Sequence, residues 1–252
     1  MELHGAVVDQ SMMQPMPTNK IHIHDGKGFI ELISCFGSDL TVVNTARVSF
    51  HKEAAFEKLE IDGQVVTKLA ERDAKLIKYL ADHRHISPFF HPQISLRIKM
   101  PIFTAREWFK HSIGFCRNEV SRRYVTDAPE FFMPAGLRQR DKNLKQGSKE
   151  DLMENSAELM AQMQAYVDQA GVYYQTLLDQ GVAPEQARMI LPQSMYTEFI
   201  ETASLAGYAR LARLRTASLA QREIQEYARV VSDLVSTAFP VSWSALMNAP
   251  MD

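Results

Sequence analysis

The sequence predicts an α+β domain, a mixed α/β arrangement in which a central sheet is flanked by long helices and the C-terminal half is rich in helix. Three observations predict it. Ile94, Leu96, Ile98 and Met100 alternate with Ser95, Arg97 and Lys99, the period of a half-buried strand. Ile224, Tyr227, Val231 and Leu234 recur at helical spacing. The strand-like stretches lie early and apart, whereas from residue 150 onward helical patterns follow one another.

A chain of 252 residues that is 46% apolar and 23% charged can bury one sizeable core. One domain is therefore expected over 21–252, behind a flexible N-terminal arm of residues 1–20. That arm opens MELHGAVVDQSMMQPMPTN, rich in Met and Gln and without either period.

The elements read as follows. GFIELISC, residues 28–35, is short and apolar and reads as a strand. DLTVVNTARVSF, 39–50, opens on a possible Asp cap and reads as a helix. Residues 51–69 lack a period and contain Asp62-Gly63, which suggests a loop or short hairpin. ERDAKLIKYLADH, 71–83, carries early acidic residues and places Leu76, Ile77 and Leu80 on one face, a helix. The alternating strand follows, then helical spacing over 103–111, a polar excursion over 141–149 and a long helix over 150–179. Pro184 suits a first helical turn, and 205–216 and 218–238 read as two further helices.

Net charge of −2 gives no general attraction to nucleic acid or membrane, so neither a nucleic-acid polymer nor a membrane is an expected partner. Only Cys35 and Cys116 are present, without a partner motif, which excludes a disulfide framework and suits a reducing compartment. No stretch approaches the roughly 20 apolar residues of a spanning helix. The beginning of the sequence lacks a basic region followed by an apolar core, so a cytoplasmic location is expected.

Chemistry-bearing residues crowd into REWFKHSIGFCRNEVSRRY, residues 106–124. On a helix Arg106 and Lys110 share a face, as do Glu107 and His111, so charge could line a cleft; a solvated helix edge with an i,i+4 pair fits the same spacing. Residues 118–123, NEVSRR, have the composition of a phosphate-binding turn, since backbone donors, a hydroxyl and guanidinium forks match a phosphate dianion. No Gly-rich phosphate loop and no dinucleotide fingerprint is present.

RNEVSRRYV, residues 117–125, preceded by Lys110-His111, resembles the signature of flavin-dependent thymidylate synthases, Arg-His-Arg, seven residues, Ser. The resemblance extends over roughly residues 25–247 and includes GFIELIS, DLTVVNTARVSF, His85-Ile86-Ser87-Pro88-Phe89, MPIFTAREW, ARMILPQSMYTEF and LRTASLAQREIQEYA. Two departures stand out. Lys110-His111-Ser112 replaces Arg-His-Arg, and one residue more than in the family pattern separates His111 from Ser121.

The resemblance implies that Glu119, Val120, Ser121, Arg122 and Arg123 hold dUMP, with Lys110, Glu107, and Arg188 of ARMILP also on the nucleotide. Glu107 would accept from the sugar or pair with Lys110. Arg215 of LRT matches the arginine that polarises the uracil ring, and His85 a histidine near flavin and folate; these two are the expected catalytic residues. Ser121 is expected to bind and not to attack, since no activating base is evident in the sequence. For FAD the resemblance implies Ser87, Lys110, His111, Ser112, Glu119, Ser204, Leu205, Ala206 and Arg210. Relatives often carry Glu, Asn, Arg and His where this chain has Phe90, Ser204, Ala206 and Leu219.

The implied activity is methylation of dUMP to dTMP, with 5,10-methylenetetrahydrofolate as carbon donor, reduced FAD as hydride donor and NADPH to reduce the flavin. A homotetramer with sites between subunits is implied as well. Two alternatives stay open: a pyrimidine nucleotide hydroxymethylase, motivated by the altered FAD positions, and a catalytically silent nucleotide-binding homologue. Cys116 lies among Lys110, His111 and Arg117, surroundings that lower a thiol pKa, yet a semi-buried, non-catalytic cysteine is expected. His22 and His24 would point the same way from an extended segment beside Asp25, but no further ligand spacing completes a site, and no metal is expected.

Overall fold

The computed structural model describes residues 20–61, 64–125, 127–141 and 147–250. Residues 1–19, the Asp62-Gly63 turn signal and most of the polar excursion lie outside the described residues. The elements run β1 (Lys20–Ile23), β2 (Gly28–Phe36), α1 (Asp39–Arg47), β3 (Glu57–Ile61), β4 (Gln64–Lys68), α2 (Glu71–Asp82), β5 (Gln93–Pro101), α3 (Ile102–Trp108) and β6 (Phe115–Glu119). They continue with β7 (Arg138–Arg140), β8 (Ser148–Leu152), α4 (Ser156–Asp179), α5 (Pro184–Ala187), β9 (Tyr196–Ser204), α6 (Leu205–Arg215), α7 (Arg222–Ala238) and α8 (Pro240–Asn248). Three-residue to four-residue 3-10 turns follow α1, precede β5 as Ser87–Phe90, and follow α5 as Arg188–Ile190.

Five strands form one antiparallel sheet in the order β1-β2-β5-β9-β6. The alternation read at Ile94 to Met100 is the centre of that sheet. Ile94, Leu96, Ile98 and Met100 are fully buried, under α6 and α7, whose Leu211, Tyr227, Ala228 and Val231 share the same core. Close approach of α7 explains Gly28, where a Cβ would lie 2.2 Å from the Tyr227 hydroxyl. That hydroxyl donates to the Lys99 carbonyl at 2.9 Å.

Several expectations are corrected. Residues 150–155 are not helical: 148–152 pair with β7 as an exposed polar strand, and α4 begins at Ser156. Helix α7 starts at Arg222 instead of 218. Asp39 does not cap its own helix. It lies inside α1, behind Ser38, and its carboxylate accepts from Val241 N (3.0 Å) and Ser242 N (2.8 Å), so it caps α8, a helix the periodicity did not reveal. Strands β1, β6 and β9 were also unforeseen. The 51–69 stretch contains a hairpin, β3–β4, with its side chains exposed at Glu57–Glu60 and Gln64–Lys68.

Helix α4 is the outlying element. Of its 24 residues only Val167 and Tyr174 are buried, while Tyr166, Val172 and Tyr173 are exposed at 65%, 69% and 54%. No helix among the described residues is long and apolar enough to cross a membrane.

Candidate active site

Helix α3 stops at Trp108, short of the expected His111, because the chain must turn through Gly114 to enter β6. Gly114 has φ 79°, and a Cβ there would lie 2.8 Å from Ser204 Oγ, so both conformation and space require glycine. The turn removes Lys110 and His111 from the helix, and the expected i,i+4 pairs do not form on it.

The place beside Glu107 is taken by Arg215, the last residue of α6. Its guanidinium pairs with Glu107 Oε1, and its Nε donates to His111 Nε2 at 2.9 Å. His111 is 6% exposed. Burial, then the positive charges of Arg215, Arg210 and Arg117, lower its pKa to about 4. The imidazole is therefore neutral at ordinary pH, with Nε2 an acceptor and its proton on Nδ1. A guanidinium held between a carboxylate and a neutral ring is pre-oriented and keeps its remaining N–H groups for another acceptor.

Of the residues expected to hold flavin, His111 belongs to this triad and Glu119 ends β6. Ser204 N-caps α6, its Oγ accepting from Gly207 N at 3.1 Å, and its own N–H donates to the Gly114 carbonyl at 3.1 Å. Leu205 N donates to Pro92 O at 3.0 Å, which ties the start of α6 to the end of the Ser87–Phe90 turn. Leu205 and Ala206 are buried, while Ser87, Lys110, Ser112 and Arg210 are exposed. Arg210 lines an apolar-walled groove of about 480 Å³ with Arg84 and Arg213. The exposed guanidinium of Arg210 in this groove is a donor that fits a phosphate of a flavin dinucleotide.

The expected nucleotide residues from Glu119 to Arg123 lie at the end of β6 and in the turn that follows it. Glu119 accepts from Thr197 Oγ1 at 2.5 Å, and Val120 N extends the ladder to Glu198 O at 2.8 Å. The turn begins only at Ser121, whose carbonyl accepts from Tyr124 N at 2.9 Å, so Asn118 and Glu119 are strand and not part of a phosphate-binding turn. Ser121 Oγ accepts from Arg123 N at 3.3 Å. Arg122 donates to the Asp127 carbonyl, and Arg123 lies over the Tyr124 ring. Arg188 is exposed in the turn after α5 and forms no ion pair among the described residues.

His85 is exposed, its ring stacked 6.1 Å from that of Tyr79. One chain thus joins Glu107, His111 and Arg215, and brings Ser204 and Leu205 to the same end of the sheet. Among the described residues, no hydrogen bond or ion pair links residues 121–123, Arg188 or His85 to that triad.

The fold also places the histidines and cysteines singled out in the sequence. His22 and His24 do not face one way: β1 ends at Ile23 and His24 adopts φ 58°. His24 bonds to Glu223 O and Glu226, whereas exposed His22 bonds to Gly26 O. Among the described residues no cluster of three His, Cys, Asp or Glu side chains suits a metal. Cys116 is exposed on β6 and not semi-buried, while burial pushes the Cys35 thiol up to about 11. Two residues given no role by the sequence reading, Arg117 and Glu201, lie directly across from each other on β6 and β9 and reach the triad from below. Spacing offered no signal for a pair 84 positions apart.

A family model described as thymidylate synthase complementing protein matches residues 31–241. A flavin-dependent thymidylate synthase of Thermus thermophilus is 37% identical over 219 residues, 87% of this chain and 75% of that protein. One of Kosmotoga olearia is 37% identical over 226 residues, 88% of this chain and 91% of that protein. Among solved structures, a UMP/dUMP methylase, PolB, from Streptomyces cacaoi bound with 5-Br dUMP is similar with a TM-score of 0.74 and 28% identity, covering 91% of this chain and 98% of that one.

Proposed function

We propose the function from one premise: the chain belongs to the flavin-dependent thymidylate synthase family. It is a flavin-dependent enzyme that methylates dUMP for thymidylate synthesis. The observation that carries the mechanism is Arg215 held between Glu107 and the neutral His111 ring.

We assign the ring-polarising role to Arg215. As C5 of the pyrimidine becomes nucleophilic, negative charge grows on the ring, and a fixed guanidinium stabilises it without giving up a proton. Glu107 and His111 absorb the freedom the long side chain would otherwise lose on binding. Among the described residues, Ser121 has only arginine donors on its hydroxyl and no base. It therefore serves as a binding group, together with Glu119, Val120, Arg122, Arg123 and Arg188, and no enzyme adduct forms. His85 keeps a proposed place near flavin and folate.

Ser87, Lys110, His111, Ser112, Glu119, Ser204, Leu205, Ala206 and Arg210 would hold the flavin, in our reading as FAD. When bound and reduced, it supplies the hydride that completes the new methyl group. The one-carbon unit would come from 5,10-methylenetetrahydrofolate, which would leave as tetrahydrofolate, with NADPH as the reductant of the enzyme. The working unit is residues 21–252 as one domain in a cytoplasmic homotetramer. Two features support that assembly: β6 is an edge strand, and α4 exposes Tyr166 and Tyr173, and both are suited to a second copy.

The test is one reaction of the purified protein with FAD, NADPH, methylenetetrahydrofolate and dUMP, its nucleotide product identified by mass. Formation of dTMP that requires both flavin and NADPH is the expected result. Hydroxymethyl-dUMP, or no product from folded protein, would overturn the reaction while leaving the family intact.

A further inference from the structure

Behind the triad, six residues close a ring. Glu201 is fully buried in β9, and both of its oxygens accept from Trp108 Nε1, at 3.1 and 3.2 Å. It pairs with Arg117 Nε, and a second nitrogen of Arg117 donates to the His111 carbonyl at 2.5 Å. The His111 ring accepts from Arg215, and Arg215 pairs with Glu107, the residue before Trp108. The rings of Phe109 and Phe115 lie 5.2 and 4.8 Å from the Arg117 guanidinium.

Two properties mark the inner half of this ring as more than packing. An apolar pair at the same positions would stabilise the sheet as well as a buried ion pair does. The Arg117 fork also extends beyond its carboxylate partner to grip one peptide carbonyl, that of the residue whose side chain meets Arg215. Positive charge on Arg117 from β6, and on Arg215 and Arg210 from α6, adds to burial in keeping that imidazole an acceptor.

We propose that Arg117 and Glu201 are positioning residues for the methylation, holding the His111 peptide and, through its ring, setting the direction in which Arg215 meets the pyrimidine. The proposal rests on the reading of Arg215 as the ring-polarising group.

Arg117→Lys tests it. Lysine keeps a positive charge beside Glu201, so the buried carboxylate is not orphaned, but lacks the planar fork that spans Glu201 and the His111 carbonyl. In the FAD-loaded enzyme, kcat and KM for dUMP are compared among wild type, Arg117→Lys, Arg215→Lys and the double variant. Arg117→Lys is expected to lower kcat about 10- to 100-fold, to leave KM within about twofold, and to add nothing in the Arg215→Lys background. Glu201→Gln, which keeps the shape and one acceptor oxygen, is expected to show the same split and stands in if the lysine variant does not fold. Full kcat in both variants while Arg215→Lys is crippled would overturn the positioning role and leave the Arg215 reading standing. Losses that multiply in the double variant would overturn it too, since they mark independent structural effects. Full kcat in Arg215→Lys would overturn the underlying reading itself.

Discussion

Arg215 Nε donates to His111 Nε2 across 2.9 Å, a contact that exists only while the imidazole is unprotonated. The folded His111 pKa is lowered from 6.5 to about 4, so between those values the unfolded chain binds a proton that the folded chain does not. Stability therefore rises with pH across that window, and falls as pH drops from 6.5 toward 4. We expect Tm, followed from about pH 7 down to about pH 4, to decline less steeply in His111→Gln than in wild type. Parallel curves would mean that the ring is not held neutral by the fold.

Arg215→Ala removes the side chain that bonds both Glu107 and His111. Turnover should fall about 10²- to 10³-fold, the scale for loss of one pre-oriented electrostatic group. Far-ultraviolet circular dichroism should be unchanged, because the side chain stands at the end of α6 and not in its core. Near-normal kcat in folded protein would remove Arg215 from the chemistry.

Ser121→Ala should raise KM for dUMP by severalfold and leave kcat within about tenfold, the pattern of a group that binds ground and transition states alike. A loss of about 10⁴-fold or beyond in kcat with unchanged KM would instead identify the hydroxyl as a nucleophile. Steady-state kinetics over a range of dUMP separates the two.

Asp39→Ala should lower stability by about 1–2 kcal/mol, because it uncaps α8 at Val241 and Ser242. In a chain of this length that is roughly 2–4 °C of Tm per kcal/mol. Activity per folded molecule should fall as well, since α8 packs on α6 as well as on α2 and α7, and Arg213, two residues before Arg215, donates to the Leu246 and Ala249 carbonyls. Calorimetry paired with an activity assay checks both halves.

What could be read in advance follows from where polarity and burial agree. In β5 every second residue is apolar and buried, and α7 carries its apolar residues on one face, so local pattern and tertiary environment give the same answer. Strand β9 breaks that agreement. Its inward positions include Thr197 and the fully buried Glu201, while Ile200 between them is 49% exposed. A charged residue in the buried phase and an isoleucine in the open one erase the alternation from which a strand is recognised. Glu201 is tolerated there because Arg117 on the neighbouring strand and Trp108 at the end of α3 both bond to it, which no single segment can announce.

By itself, then, the sequence determined the α+β class, the central strand, the main helices, and a block from Arg106 to Tyr124 dense enough in family-like residues to indicate the chemistry. Tertiary structure alone decided which of those residues meet. Glu107 was free, on spacing, to pair with Lys110 or His111; the turn at Gly114 took both off the helix, and α6 delivered Arg215 into the gap. Spacing along a helix fixes neighbours only within about a turn, whereas the partners of a buried charge are set by which strands and helix ends the core brings together. Desolvation then makes those partners obligatory.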